Sequence, residues 1–177
     1  MNSVTKFFDY VRYHMESEWQ PYYRYGEALP KISTLRFAMI YDSIWIPAGV
    51  YQKLSGFVSA IDFIRAAVEV QSDQRFEDVR YILKDLSEVT GHTLTPDSMA
   101  DLAVIYCGFQ SINPNCRIVF VCQDENLTNV IKSNLTSQKL ASHPVEVMRT
   151  VSDAKDWLGR QFDLQNTGRV RSLIRYW

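Results

Sequence analysis

Gly49 to Gly91, GVYQKLSGFVSAIDFIRAAVEVQSDQRFEDVRYILKDLSEVTG, is the stretch whose reading decides the fold. Val50 to Leu54 has strand character, and Ser55-Gly56 reads as a tight turn closing that strand. Ser59, with Asp62 three residues on, has the spacing of a helix cap. Ile61, Ile64, Val68 and Phe63, Ala67, Val70 then make a wide apolar helical face, as a helix lying on a sheet requires. The polar run Gln71 to Asp78 ends that helix. Tyr81-Ile82-Leu83 and Leu86 supply a second, more buried strand, expected to finish near Asp85-Leu86-Ser87, with Lys84-Asp85 breaking its apolar run. A strand–helix–strand crossover fixes the handedness of a sheet, so the rest of the chain must be arranged around it.

On the amino-terminal side, Leu35 to Ile46, LRFAMIYDSIWI, is rich in β-branched and aromatic residues and contains a strand. Pro47-Ala48-Gly49 is the turn joining it to Val50, which makes an antiparallel pair at one side of the sheet. On the carboxyl side the alternation repeats. Thr95-Pro96-Asp97 is a helix start, with a capping hydroxyl, proline at the first helical position and an acid against the helix dipole. Met99, Leu102, Ala103 and Tyr106 carry that helix inward. Cys116 to Cys122, CRIVFVC, reads as a strand covered on both faces. Asp124 caps a helix bearing Leu127, Val130, Ile131 and Leu135; Val145 to Met148 is a last strand; Ser152-Asp153 opens a last helix. The expected class is α/β, with a mostly parallel five-stranded sheet, an antiparallel edge and about four helices.

Three segments follow: an aromatic-rich extension over 1–34, a domain over 35–160 and a basic tail over 161–177. The extension holds Phe7, Phe8, Tyr10, Tyr13, Trp19, Tyr22, Tyr23 and Tyr25, with helical spacing from about Val4 to Trp19. So much ring surface suits packing against the domain or a second subunit, and it motivates a homodimer. The stretch from Arg160 to Trp177 carries Arg160, Arg169, Arg171 and Arg175 against one acid, Asp163, and reads as solvated or as a strap across the domain.

A net charge of -1 gives no global reason to expect nucleic acid or an anionic membrane as partner. No apolar run reaches the roughly 20 residues a membrane span needs, and no secretory signal pattern opens the chain. Cys107, Cys116 and Cys122 show no metal-type or CxxC spacing. These features suit reduced thiols and a cytoplasmic protein, in which the Asn126 and Asn134 sequons carry no sugar. No glycine-rich phosphate loop, GxGxxG or GxSxG is present, and His14, His92 and His143 are scattered. No cofactor and no metal are expected, and no catalytic set is assigned. The polar residues expected to share a ligand or partner rim are Asp85, Ser87, His92, Asp97 and Ser98. They gather at the carboxyl ends of parallel strands, where open α/β sheets bind ligands. A weak enzyme using Asp85 as acid and His92 as base is a third alternative.

Leu54-Ser-Gly56-Phe-Val with the helix after it, Tyr81-Ile-Leu-Lys-Asp85-Leu86-Ser87, Cys116-Arg-Ile-Val-Phe-Val and Ser152-Asp-Ala-Lys-Asp-Trp157-Leu158 together resemble STAS-like domains. More narrowly, they resemble the branch related to sporulation anti-sigma-factor antagonists. The resemblance spans about residues 36–160. It implies four to five strands with helices on one side, and a non-enzymatic regulatory module that acts through protein contacts. In signalling members a Ser or Thr at the start of the helix after the central strand is phosphorylated, within an Asp-Ser-Ser/Thr-Gly pattern. Here Asp97-Ser98-Met99-Ala100 puts Met99 where the acceptor belongs, after a longer loop from Val89 to Thr95. Thr95 and Ser98 remain as candidate phosphoacceptors. STAS-like sheets are also similar to the lipid-binding lobe of CRAL-TRIO proteins, which implies a small apolar ligand as an alternative.

Overall fold

The computed structural model describes residues 39–46, 48–135 and 145–163. The chain divides into two units, Met1–Leu35 and Arg36–Trp177, and every described residue belongs to the second. The expectations for the aromatic extension, for Pro47 and for the tail beyond Asp163 lie outside the described residues.

Five strands form one sheet in the order β1 (Ile40–Ile46), β2 (Gly49–Val58), β3 (Tyr81–His92), β4 (Arg117–Val121), β5 (Val145–Met148). β1 runs antiparallel to β2 and the remaining pairs are parallel, as expected. The helices are α1 (Ala60–Ser72), α2 (Pro96–Gln110), α3 (Glu125–Leu135) and α4 (Val151–Asp163). Spatial order equals sequence order, so the sheet has no point at which its winding reverses. The crevice that such a reversal opens in doubly wound sheets is therefore not built here.

The two faces are covered unequally. α1, α2 and α3 bury Phe63, Ala67, Met99, Leu102, Tyr106, Leu127 and Ile131 against Leu54, Leu86, Ile118 and Phe120. Phe63 stacks on Phe120 with ring centroids 6.1 Å apart. α4 lies on the opposite face, placing Ala154 and Leu158 on Tyr81, Leu83, Val119 and Val121. The expectation of helices on one side is corrected for α4. The chain reaches the far face because the loop after β5, the last strand, is free to turn either way, whereas each parallel crossover must be right-handed.

Local chemistry starts each helix. Ser59 Oγ accepts from the Asp62 amide at 3.1 Å, Asp124 Oδ1 accepts from the Leu127 amide at 2.7 Å, and Thr150 Oγ1 accepts from the Asp153 amide at 3.1 Å. The last helix is thus capped by Thr150, earlier than the expected Ser152-Asp153 start. Asn113 joins two strand entrances that the sequence alone did not connect. It is 3% exposed, and its Nδ2 donates to the Phe76 carbonyl at 2.7 Å and the Val79 carbonyl at 2.6 Å.

The decisive stretch differs from expectation in four places. Ser55-Gly56 is no turn: β2 continues to Val58, and Gly56, at φ 79°, sits among register shifts opposite β3. A left-handed glycine inside a strand is absorbed as a bulge. β3 likewise runs past Ser87 to His92, because extended β2 gives it a partner as far as Val58. The long Val89–Thr95 loop shrinks accordingly to Thr93–Thr95. Lys84 does not interrupt the buried run but lies within it, at 0% exposure. Ile61, assigned to the apolar face of α1, is 45% exposed, while Ala66 takes the buried position.

Candidate functional site

The polar residues expected on one rim fall into two groups. Asp85 is nearly buried in mid-strand, accepting from the Tyr51 hydroxyl at 2.7 Å and from the Ser87 amide at 3.0 Å. Burial of Tyr51, more than the hydrogen bond itself, raises that phenol's pKa well above its usual value, so the tyrosine keeps its proton and donates. Ser87 is exposed on the same strand. His92 ends β3, and its Nδ1 accepts from the Leu94 amide at 3.2 Å. Six strand residues lie between Asp85 and His92, seven steps that span up to about 23 Å at roughly 3.3 Å per residue. An acid–base pair of these two is ruled out by that strand.

Thr95, Asp97 and Ser98 start α2 near His92. Thr95 Oγ1 accepts from the Ser98 amide at 3.3 Å, and Ser98 Oγ accepts from the Thr95 amide at 2.9 Å. This reciprocal capping box occupies both candidate phosphoacceptors. Thr95 and Asp97 are exposed, whereas Ser98 is 9% exposed and also donates to the Thr95 carbonyl at 3.0 Å.

Sequence reasoning missed the buried polar row Ser43–Gln52–Lys84, one residue from each of β1, β2 and β3 in direct register. Lys84 Nζ donates to Gln52 Oε1 at 2.6 Å. Gln52 Nε2 donates in turn to Ser43 Oγ at 3.0 Å and to the Ala66 carbonyl of α1 at 2.9 Å. The ammonium position lies 5.5 Å from the Phe63 ring centroid. Burial pushes the Lys84 pKa down to about 7. The row ties α1 to three strands, with Gln52 and Lys84 fully buried and Ser43 partly exposed at its end, so it positions the helix instead of meeting a substrate. The available signal was the period-2 alternation Ile82, Lys84, Leu86, which puts all three on the helix-covered face.

Two clefts among the described residues open to solvent. One, of about 240 Å³, lies at the carboxyl ends of β4 and β5 and is lined by Cys122, Thr128, Asn129, Lys132, Met148 and Arg149 among others. The other, of about 420 Å³, lies at the amino end of β2, where the Arg75 guanidinium sits 3.8 Å over the Trp45 ring. Among the described residues no group of three or more His, Cys, Asp or Glu is placed to hold a metal ion. No helix among them is long and apolar enough to cross a membrane.

The edges of the sheet are unequal. β5 is four residues long, whereas β1 is seven residues in uninterrupted register with β2. Short edges, bulges, lysine and proline are the usual protections against pairing with another chain. Among the described residues β1, Ile40-Tyr-Asp-Ser-Ile-Trp-Ile46, is an edge strand with no lysine, proline or bulge, though it carries the exposed Asp42 at its middle, and Ile40 and Ile44 on one of its faces are 69% and 47% exposed. α4 covers β3, β4 and β5 on that face, leaving Ile40, Asp42, Ile44 and the exposed Lys53–Glu88 ion pair at 2.5 Å beside it. On the other face, the Tyr41 hydroxyl donates to Glu69 of α1.

No family model matches the chain, and no curated protein matches it. Among the solved structures similar to it are two. One is the anti-sigma factor antagonist SpoIIAA in its unphosphorylated form, at 14% identity and a TM-score of 0.45, covering 69% of this chain and 98% of that one. The other is an uncharacterized protein of the DUF3478 family with a SpoIIAA-like fold from Shewanella loihica PV-4. It is 15% identical with a TM-score of 0.46, covering 72% of this chain and 98% of that one. Among the described residues the fold is a five-stranded mixed sheet, antiparallel between β1 and β2 and parallel elsewhere, with four α-helices.

Proposed function

We propose that this chain is a non-enzymatic regulatory module that binds a protein partner along β1, the partner contributing an extended segment to the sheet. The carrying observation is the seven-residue strand, at the edge of the sheet among the described residues, with its two exposed isoleucines. Strand addition draws affinity from backbone hydrogen bonds and specificity from alternate side chains, here pockets around Ile40 and Ile44. Asp85, His92, Thr95 and Ser98 are engaged in caps and strand contacts, which favours recognition over chemistry at those positions.

The test is quantitative capture from the protein's own cytoplasm by wild-type chain, Ile44→Glu and Val104→Glu. Val104 is a control because it is 52% exposed on α2, away from the edge. Loss of one protein with Ile44→Glu, at least tenfold, and its retention with Val104→Glu support the reading. Equal capture by all three chains overturns it.

A further inference from the structure

We propose that the cleft at the carboxyl ends of β4 and β5 binds a small phosphate-bearing anion, held between Lys132 and Arg149. Among the described residues this cleft lies toward the opposite edge of the sheet from β1, and it does not depend on what β1 binds. Its walls follow from helix and strand geometry. Glu125, Thr128, Asn129 and Lys132 recur at helical spacing and form one polar stripe of α3, while Leu127, Ile131 and Leu135 are buried. The stripe faces Val147, Met148 and Arg149 at the end of β5 across a space of about 240 Å³. Cys122 also lines that space, and burial raises its thiol above the ordinary value, so it stays uncharged at neutral pH.

Charge and size together choose the ligand. Lys132 and Arg149 bring one cation from each wall, and the side-chain amides of Gln123 and Asn129 add hydrogen-bond donors. A guanidinium fork with a lysine point charge suits a phosphate group, which offers several oxygens at once. α3 and α4 both start at this end of the sheet, at Glu125 and Val151, so the positive ends of their dipoles add to the same field. Two acids oppose it. Asp124 is held as the cap of α3, its Oδ1 accepting from the Leu127 amide at 2.7 Å. Glu125 lines the cleft and reaches Arg149 at 3.9 Å, but the two side chains are 85% and 83% exposed. So open a pair is held weakly, and an arriving phosphate takes the guanidinium from it. Drug-sized ligands fill about 300–1,000 Å³, so about 240 Å³ admits a phosphate with little carbon beside it.

Amide NMR of the full chain, titrated with inorganic phosphate at constant ionic strength to remove general screening, tests this. The expected result is a saturating set of shifts centred on 122–132 and 147–149, with a Kd of about 1 mM. Lys132→Gln and Arg149→Gln each weaken binding at least tenfold; both residues are exposed, so neither change disturbs the core. Arg80→Gln, which removes an exposed cation beside the amino end of β3, leaves binding unchanged. Glu125→Gln tightens it severalfold because the competing carboxylate is gone, a gain that a purely structural Arg149–Glu125 pair does not give. Glycerol 3-phosphate binding alongside phosphate assigns a phosphomonoester, and phosphate binding alone assigns the free ion. Absence of saturation by about 20 mM phosphate overturns the proposal. So do shifts that persist unchanged in both Lys132→Gln and Arg149→Gln, or that acetate reproduces at the same concentrations.

Discussion

Replacing Lys84 by methionine should stabilise the protein, and by an amount that shrinks as pH rises. Methionine matches the lysine stem in length and volume, so the core beneath α1 stays filled. The folded-state pKa of Lys84 is lowered from 10.5 to about 7 by burial. Between those values the unfolded chain binds the proton and the folded chain does not. Stability contributed through this group therefore rises with pH across that window and is flat below it. At roughly 1.4 kcal/mol per pKa unit, the burden near neutral pH is on the order of 4–5 kcal/mol. Methionine removes this burden but leaves Gln52 Oε1 without its donor, which costs about 1–3 kcal/mol. The net expectation is a gain of about 2–3 kcal/mol at pH 7.

Urea unfolding of wild type and Lys84→Met from pH 6 to 9.5 measures it. The difference between the two should be constant below about pH 7, then fall by on the order of 3 kcal/mol by pH 9.5. Taking the difference removes every other titrating group common to both chains. Parallel stability curves over the whole range would refute the reasoning, since they would mean that Lys84 titrates alike in both states.

Three further outcomes follow from local contacts. Thr95→Ala breaks the capping box and should cost about 1 kcal/mol in urea midpoint analysis, with no change in the unfolding slope. Asn113→Ala leaves the buried carbonyls of Phe76 and Val79 without its donors, and a loss of about 2–4 kcal/mol is expected by thermal or chemical unfolding. Gly49→Ala should cost about 1–3 kcal/mol, because a Cβ there would lie 2.6 Å from the Tyr81 ring; a neutral result would show that the ring yields freely.

The architecture was legible in the sequence because its signals are local. Ser59, Thr95-Pro96 and Asp124 mark helix starts by short-range hydrogen bonds, and Ile118 to Val121 marks a strand buried on both faces. Strand length was not legible. Ser55-Gly56 has turn composition, yet its glycine became a bulge once β3 offered a partner up to His92. That decision is made by pairing across the sheet, which the local sequence does not contain. The same holds for the polar residues. Asp85, Ser87 and His92 were close in sequence and were read as one rim, but strand extension separates them. Lys84 read as a charge that ends a strand, because its partner Gln52 lies 32 residues away. The exposed edge was hidden in the same way, since LRFAMIYDSIWI reads identically whether its strand lies at the centre of a sheet or at its margin.

The docking edge is tested most directly by placing a photo-crosslinking residue at Ile44 and, in a separate chain, at Val104, then irradiating each chain in its native cells. The account predicts a discrete adduct with another protein from position 44 and none from position 104. The same adduct from both positions, or an adduct from position 104 alone, would contradict it.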